Sequence, residues 1–462
     1  MKNSRRSTLS TPVALSNWWA AFQQREIAGQ RVAVPILLGI VVALALVLRL
    51  TGVNWDSDGR VSGHQNPDER HMANVATTIR FPSSPAQYFD TDESPLNPYN
   101  SFPSYPWGTL PLFGTKAVAE LMDEAPLGGP SGGGTWSNYD HIHLVGRVLS
   151  SLVDVGSIIV TFLLGSYLFN RRVGLLAAFL LAVTVLNIQY AHYFVVDSFL
   201  AFFSLVSIYF AVRAAREGGR LNFALAGVMF GAALASKGSA AALAPIIAMA
   251  AAIQAWPVVK RQWAESRGSI TAVGLWSGGL KEPVLGLGLA AVLAFAVFRV
   301  FQPYAFDGPF PWDINNIWRT DVQAVYDRGT GEGSWPPAVR WIGEVRWLYP
   351  LHNMMVWGMG IPLFLAAAGG VLYATWRLLR RGELILLLLL TWIAVIFLWQ
   401  GGLFISYMRY LLPIYSILVL LAAYGLVQLW QAKEWTSVPK RLEGFRAPVT
   451  RYAPALARAS VG

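Results

Sequence analysis

Asn66-Pro67-Asp68-Glu69-Arg70-His71 places two adjacent carboxylates just beyond the first long apolar run of the chain. A carboxylate near a low-dielectric surface can have its pKa raised toward neutrality and serve as a general base. The plainer alternative is an acid pair in an exposed loop, or in the first turn of a helix that Pro67 opens. These residues alone leave both readings open. A further acid, Asp197, lies in Ala191-His192-Tyr193-Phe194-Val195-Val196-Asp197-Ser198. It falls about one turn inside an apolar segment, where a lone carboxylate is costly and needs a partner or a task. Its plain alternative is an acid stabilised by a helix N-terminus. Lys237 sits in a turn between two apolar runs, and Arg409 just precedes the last one. Each could simply extend to the membrane interface. Taken together with the acids they form a candidate anion site, since Arg suits phosphate through its planar fork and Lys as a point charge.

Other charged residues are weaker candidates. Arg147 and Asp154 lie seven apart, hence on one helical face, and read as an intramembrane pair or a link to a neighbouring helix. His64, His71, His141 and His143 match no metal-ligand spacing, so no metal site is assigned; a divalent ion is allowed but not indicated.

The elements that must position these residues are membrane helices. The chain of 462 residues is 54% hydrophobic and only 13% charged, with a mean hydropathy of +0.43. Soluble domains carry about 25% charged residues. Nineteen Trp and seventeen Tyr suit a chain that meets many membrane–water interfaces. With no cysteine, disulfides and thiolate metal sites are excluded. A spanning helix needs about 20 apolar residues, and about ten segments qualify: 32–50, 144–169, 173–191, 194–212, 221–236, 239–257, 283–302, 354–376, 384–400 and 410–430. The fold class is therefore all-α and polytopic. The fifth segment is short and nearly merges with the sixth at Lys237-Gly238-Ser239.

A leader too long for a signal peptide precedes Val34 to Leu48, and no small-residue cleavage site comes after it, so the first segment reads as a retained signal anchor. With the N-terminus inside, the internal segments collect Arg5, Arg6, Arg171, Arg172, Arg213, Arg216, Lys260, Arg261, Arg380, Arg381, Lys440 and Arg441. That is the expected bias of a multi-pass plasma (inner) membrane protein with both termini cytoplasmic. It also accounts for the net charge of +10 without a nucleic-acid partner. The organisation is a cytoplasmic segment 1–31, a membrane domain 32–430, and a basic cytoplasmic tail 431–462. Two long outer loops, about 51–143 and 303–353, are rich in Pro, Gly, Trp and Tyr. Loops this long are usually functional or disordered. Gly128 to Gly134 reads as a flexible excursion, because no strand precedes it. The candidate charges gather beside these loops, on one side. A transporter would more often use the midplane of repeated halves.

The motifs resemble those of GT-C-type membrane glycosyltransferases, in particular the protein O-mannosyltransferase and aminoarabinose transferase superfamily, which includes bacterial phospholipid-carrier-dependent glycosyltransferases. Asp68-Glu69-Arg70-His71 is similar to the Asp-Glu-x-His pattern of their first outer loop. His192 to Ser198 resembles their second acidic motif, and Ala235-Ser236-Lys237-Gly238-Ser239 their Lys-containing turn. Gln302-Pro303-Tyr304-Ala305-Phe306 and Arg409-Tyr410-Leu411-Leu412-Pro413-Ile414-Tyr415 also resemble bacterial members. The resemblance runs from about 34 to 430. It implies transfer of a hexose or pentose from a polyprenyl-phosphate donor, with membrane lipids around the enzyme and no required cofactor. Asp68 and Glu69 would be the catalytic carboxylates. His71, His192, Asp197, Lys237 and Arg409 would bind substrate. The acceptor (protein, lipid or glycan) does not carry over. The chain ends soon after its Arg-Tyr-Leu-Leu-Pro helix and has no Trp-Trp-Asp-Tyr-Gly motif, so transfer of an N-glycan en bloc is not expected. A transporter or flippase of a lipid-linked molecule is the rival reading.

Overall fold

The computed structural model describes residues 33–56, 64–125, 129–130, 133–265, 271–333 and 335–431, and the backbone of Glu26–Ile27 and Gln30–Arg31. Nearly all of the expected terminal segments 1–31 and 431–462, and part of Gly128 to Gly134, lie outside these residues. Apart from the two-residue antiparallel pair Glu26–Ile27 with Gln30–Arg31, the described chain is helical or irregular. Seven of its helices are long and apolar enough to cross a membrane, or eight if a bent pair counts as one span. They include Ala33–Leu50, Tyr139–Leu168, Val196–Glu217 and Ile361–Arg381. Two shorter apolar helices, Arg220–Leu234 and Ile385–Gly401, fall on the fifth and ninth expected segments.

The bent pair falls on one expected span. The segment 173–191 reads as one span, yet it is Arg171–Ala182 and then Val185–Ala191, bent by 58°. A break inside a bilayer frees carbonyls that must find donors. Buried Arg49, at the end of Ala33–Leu50, supplies them: Nη1 donates to Ala182 O at 2.9 Å and Nη2 to Leu181 O at 3.3 Å. Its Nε donates to Asp154 Oδ2 at 2.6 Å, and Asn187 Nδ2 donates to Asp154 Oδ1 at 2.8 Å. Asp154 thus links its helix to two neighbours, while Arg147 pairs instead with Glu69 and Asp56.

Small residues bring helices close, as van der Waals packing in a membrane requires. A Cβ on Gly227 or Gly231 would lie 2.3 or 2.4 Å from the carbonyl oxygens of Ala290 and Ala294. Leu388, Leu389, Trp392, Ile417, Leu420 and Leu421 belong to the main buried core. A second core lies under the first long loop, which is not irregular throughout: it contains the helices Pro67–Thr78 and Leu110–Glu124. Met72, Ala76, Ile79, Leu112, Phe113, Ile142, Phe194 and Tyr304 bury this loop against the ends of the membrane helices. The second long loop carries one α-helix of several turns, Asn316–Thr330.

Candidate active site

Asp68 and Glu69 open the Pro67–Thr78 helix but do not cap it. The Asn66 side chain does, accepting from the Asp68 and Glu69 amides at 3.0 and 3.3 Å. Pro67 at the first helical position is preorganised for that turn. Successive side chains on a helix point about 100° apart, and four consecutive residues consequently reach four different partners. Asp68 Oδ2 meets Arg409 Nη2 at 2.7 Å. Glu69 turns inward to Arg147. Arg70 donates to His64 O from Nε and Nη2, at 3.2 and 3.1 Å. His71 Nε2 lies 3.1 Å from Ser104 O, a carbonyl that can only accept.

Asp68 begins an alternating chain of charges. Arg409 Nε is 3.8 Å from Asp197 Oδ2, and Lys237 Nζ donates to Asp197 Oδ1 at 2.8 Å. Asp197, like Asp68, is in the first turn of its helix, where the helix dipole favours a carboxylate. The Asp197 side chain is only 3% exposed, but Lys237, Arg409 and Asp68 keep 18%, 15% and 25% of theirs accessible. Arg409 also lies over the Tyr407 ring at 4.1 Å, and Lys237 over the Tyr410 ring at 4.6 Å. Four residues from sequence-distant segments thus form one line of two acids and two cations, closed on itself in charge and open to ligand at three members. An anion arriving here has two cations to take, and it must compete with carboxylates to take them.

The backbone around this line is tightly fixed. Gly108 N donates to Ser236 O, and Leu110 N to Ala235 O, both at 3.0 Å, just before Lys237. A Cβ on Gly108 would sit 1.9 Å from Ala235 O, so only glycine allows this approach. Thr109 N and Oγ1 donate to Gln302 Oε1 at 2.6 and 2.8 Å. Tyr304 OH and Ser94 Oγ are 2.7 Å apart. The Gln302-Pro303-Tyr304 motif therefore anchors the first loop. On the other side, buried Trp341 from the second loop packs edge-on to Tyr407, with ring centroids 4.7 Å apart.

Two expected site residues are placed elsewhere. Glu69 has a side chain with no exposure. Its Oε2 accepts from Arg147 Nε at 2.8 Å and from Phe194 N at 2.7 Å, and its Oε1 from Arg147 Nη2. Asp56 completes the cluster, accepting from Arg147 Nη1 and Nη2 at 2.8 and 2.9 Å. Glu69 is therefore enclosed and fully engaged by Arg147 and Phe194, unlike its partly exposed neighbour Asp68. His192 has both ring nitrogens at backbone carbonyls, Ile188 O at 2.7 Å and Thr51 O at 3.0 Å. It joins the broken helix to the end of the first span. Asp68, Asp197, Lys237 and Arg409 come together, with His71 one turn from Asp68. Asp56 escapes sequence reasoning because an isolated loop acid carries no local signal. Of the four histidines weighed for metal, His64 and His143 are buried ring to ring at 4.2 Å, and His141 Nδ1 lies 2.9 Å from Asn138 Oδ1. Among the described residues no three or more His, Asp or Glu are grouped as metal ligands.

Residues 141–278 match the family described as dolichyl-phosphate-mannose-protein mannosyltransferase. No curated protein matches the sequence. Among solved structures, the oligosaccharyltransferase of Archaeoglobus fulgidus in its apo form is similar with a TM-score of 0.54 at 16% identity, over 92% of this chain and 54% of that one. The same organism's oligosaccharyltransferase AglB, in complex with an inhibitory peptide and a dolichol-phosphate, gives 0.53 at 15%, over 93% and 54%. ArnT from Cupriavidus metallidurans bound to undecaprenyl phosphate gives 0.49 at 17%, over 84% and 60%. The chain spans about half the length of the oligosaccharyltransferase structures it matches. What it shares with them is a fold.

Proposed function

We propose that this protein is a membrane glycosyltransferase that moves a sugar from a polyprenyl-phosphate carrier to an acceptor hydroxyl at the outer face of the membrane. The observation that carries this reading is the line Asp68–Arg409–Asp197–Lys237. It sets a carboxylate beside two cations where membrane helices meet extramembrane loops. The similarity to a structure holding a dolichol-phosphate supports the donor class. The basic residues at the opposite helix ends support the orientation.

In this mechanism the lipid phosphate takes Arg409 and Lys237, and Asp197 holds both cations in place. Arg409 is then shared between phosphate and Asp68, and the Asp68 carboxylate is freed to accept a proton. The acceptor oxygen attacks the anomeric carbon and loses its proton to Asp68. The bond between that carbon and the phosphate oxygen breaks, and the phosphate leaves with the electron pair. The transition state is cation-like at carbon, which a nearby carboxylate stabilises. The two cations stabilise the charge that grows on the leaving phosphate.

The test is incubation of purified protein with a panel of polyprenyl-phosphate hexoses and pentoses and candidate acceptors, read by mass spectrometry of released lipid phosphate and product. Asp68→Asn should lose transfer by about 100-fold or more, the scale of general-base catalysis, while still binding the lipid phosphate. A transporter would move the lipid-linked molecule without forming product, and Asp68→Asn would leave that movement intact. Unchanged transfer in Asp68→Asn overturns the assignment of the base.

A further inference from the structure

The helix Asn316–Thr330 has one buried residue, and it is an aspartate. Extramembrane helices normally attach through an apolar stripe. This one instead exposes Ile317, Val322, Val325 and Tyr326 and buries Asp321. The Asp321 carboxylate faces three donors from the first long loop. Ser104 Oγ donates to Oδ1 at 2.6 Å and Tyr105 N to Oδ2 at 2.8 Å. Tyr99 OH lies 3.2 Å from Oδ2 and 3.0 Å from Tyr105 O. Hydrogen bonds to a charged acceptor are stronger than neutral ones, and this clip holds the middle of the helix to the first long loop.

Both ends of the clip lead to the proposed site. Ser104 O is the carbonyl that His71 faces, and His71 lies one turn beyond Asp68 on the same helix. Ser104 is therefore one of the contacts, beside Glu69 with Arg147, that set the roll of the helix that carries Asp68. At the C-terminal end of Asn316–Thr330, Gly329 O accepts from Phe404 N at 2.9 Å and Ile405 N at 3.2 Å. That segment runs directly into Tyr407 and Arg409. One helix thus ties together the segments bearing the acid and the arginine, which are otherwise joined through their own 2.7 Å contact. A bound phosphate would compete with Asp68 for Arg409 and weaken that contact, and the clip then adds a second tie that holds the two in register.

We propose that Asp321 is a positioning residue, which through Ser104, Tyr105 and His71 holds Asp68 at its working distance from Arg409 during sugar transfer. The inference rests on the glycosyltransferase reading above. It gives Asp321 no contact with substrate. A misplacement of about 1 Å costs on the order of 100-fold in rate, which bounds the effect expected.

The test compares wild type, Asp321→Ala and Asp321→Asn in full-length detergent-purified protein. It measures kcat and donor KM for sugar transfer, affinity for polyprenyl phosphate alone, and the melting temperature. Asp321→Ala should lose roughly 10- to 100-fold in kcat at a temperature where it is fully folded, with polyprenyl phosphate affinity within about twofold of wild type, although its melting temperature falls as the Ser104 and Tyr105 donors lose their acceptor. Asp321→Asn keeps one accepting oxygen and should fall between the two. Wild-type kcat in Asp321→Ala overturns the proposal. So does a kcat loss that disappears at temperatures where the variants are fully folded, or one that comes with lost phosphate binding, because that marks Asp321 as structural. Failure of the glycosyltransferase reading shows differently: the wild type itself then transfers no sugar from any donor.

Discussion

Glu69→Gln offers a sharp test of the distinction between two neighbouring acids. The Glu69 carboxylate is fully buried and receives three hydrogen bonds, two from Arg147 and one from the Phe194 amide. Glutamine has the same shape but a single accepting oxygen. If that oxygen takes the Oε2 position it keeps Arg147 Nε and Phe194 N, and the new amide NH2 then faces Arg147 Nη2, donor to donor. If it takes the Oε1 position, two donors lose their acceptor. Either way at least one charge-assisted bond goes, at about 1.5–3 kcal/mol. Removing one partner of a buried ion pair outright costs about 3–5 kcal/mol. Here the loss is softened, because Arg147 retains Asp56 through two bonds and the cluster changes from a net −1 to neutral. We expect a destabilisation of about 2–3 kcal/mol, between those limits.

The assay is denaturant or thermal unfolding of Glu69→Gln, Asp68→Asn and wild type in one detergent, with sugar transfer measured on each at a temperature where all are folded. Asp68 is partly exposed, so its loss should shift stability by less than about 1 kcal/mol, as for other accessible ion pairs. The expected pattern is crossed: Glu69→Gln unfolds earlier but transfers sugar when folded, and Asp68→Asn unfolds normally but does not transfer. A Glu69→Gln protein that melts with the wild type and loses transfer would contradict this division of roles and return Glu69 to the chemistry.

The same geometry sets three further outcomes. Burial alone would raise the Asp56 carboxyl, but the Arg147 hydrogen bond and charge and the Gln65 amide outweigh it, lowering it from 3.8 to about 2; a carboxylate depressed in the folded state stabilises above its unfolded pKa and loses that contribution as pH falls through its folded one. The stability difference between wild type and Asp56→Asn, measured by unfolding, should therefore be full above about pH 4 and shrink toward pH 2. Arg49→Met strands Asp154 and the carbonyls of Leu181 and Ala182 inside the membrane domain, so it should destabilise by about 3–5 kcal/mol. Adding Asp154→Leu should recover part of that loss, and strict additivity in unfolding would contradict the pairing. Gly108→Ala must push back the turn ahead of Lys237, because its Cβ would meet Ala235 O at 1.9 Å; weaker binding of polyprenyl phosphate is expected, and wild-type affinity would show that the turn does not position Lys237.

The membrane helices are legible in the sequence because a bilayer imposes a length and an apolarity that any window of residues displays. The grouping of Asp68, Asp197, Lys237 and Arg409 is legible because alternating spans return every second turn to the same side. Features that depend on contacts across the fold are not. Nothing local distinguishes Arg171–Ala182 plus Val185–Ala191 from one continuous helix, because the break is made tolerable by Arg49, far away in the chain. Asp321 looks like any acid on a polar helix until Ser104 and Tyr105 arrive beneath it. The identity of a cap is hidden for a local reason: Asn66, one residue before the proline, takes the amides that the acids were candidates to serve.

The separation of Asp68 from Glu69 comes from helix geometry and two environments. About 100° of rotation between neighbours is enough to send one carboxylate to a partly exposed arginine and the other into a closed cluster. Glu69 fixes its helix onto Arg147 of Tyr139–Leu168 and onto the amide of Phe194, three residues before Asp197. The structural acid therefore sets the distance between the helix bearing Asp68 and the helix bearing Asp197. Those are the two carboxylates that Arg409 spans, at 2.7 and 3.8 Å. A pair of adjacent acids can thus divide into one that is available for chemistry and one that holds the frame, and the second role explains why a carboxylate is buried where an apolar residue would otherwise be more stable. It also orders the expected defects. Variants of the frame such as Glu69→Gln should lower the fraction folded and, once folded, leave both carboxylates facing Arg409, whereas a change at Asp68 alone leaves Asp197, Lys237 and Arg409 able to hold a phosphate with nothing to take the proton.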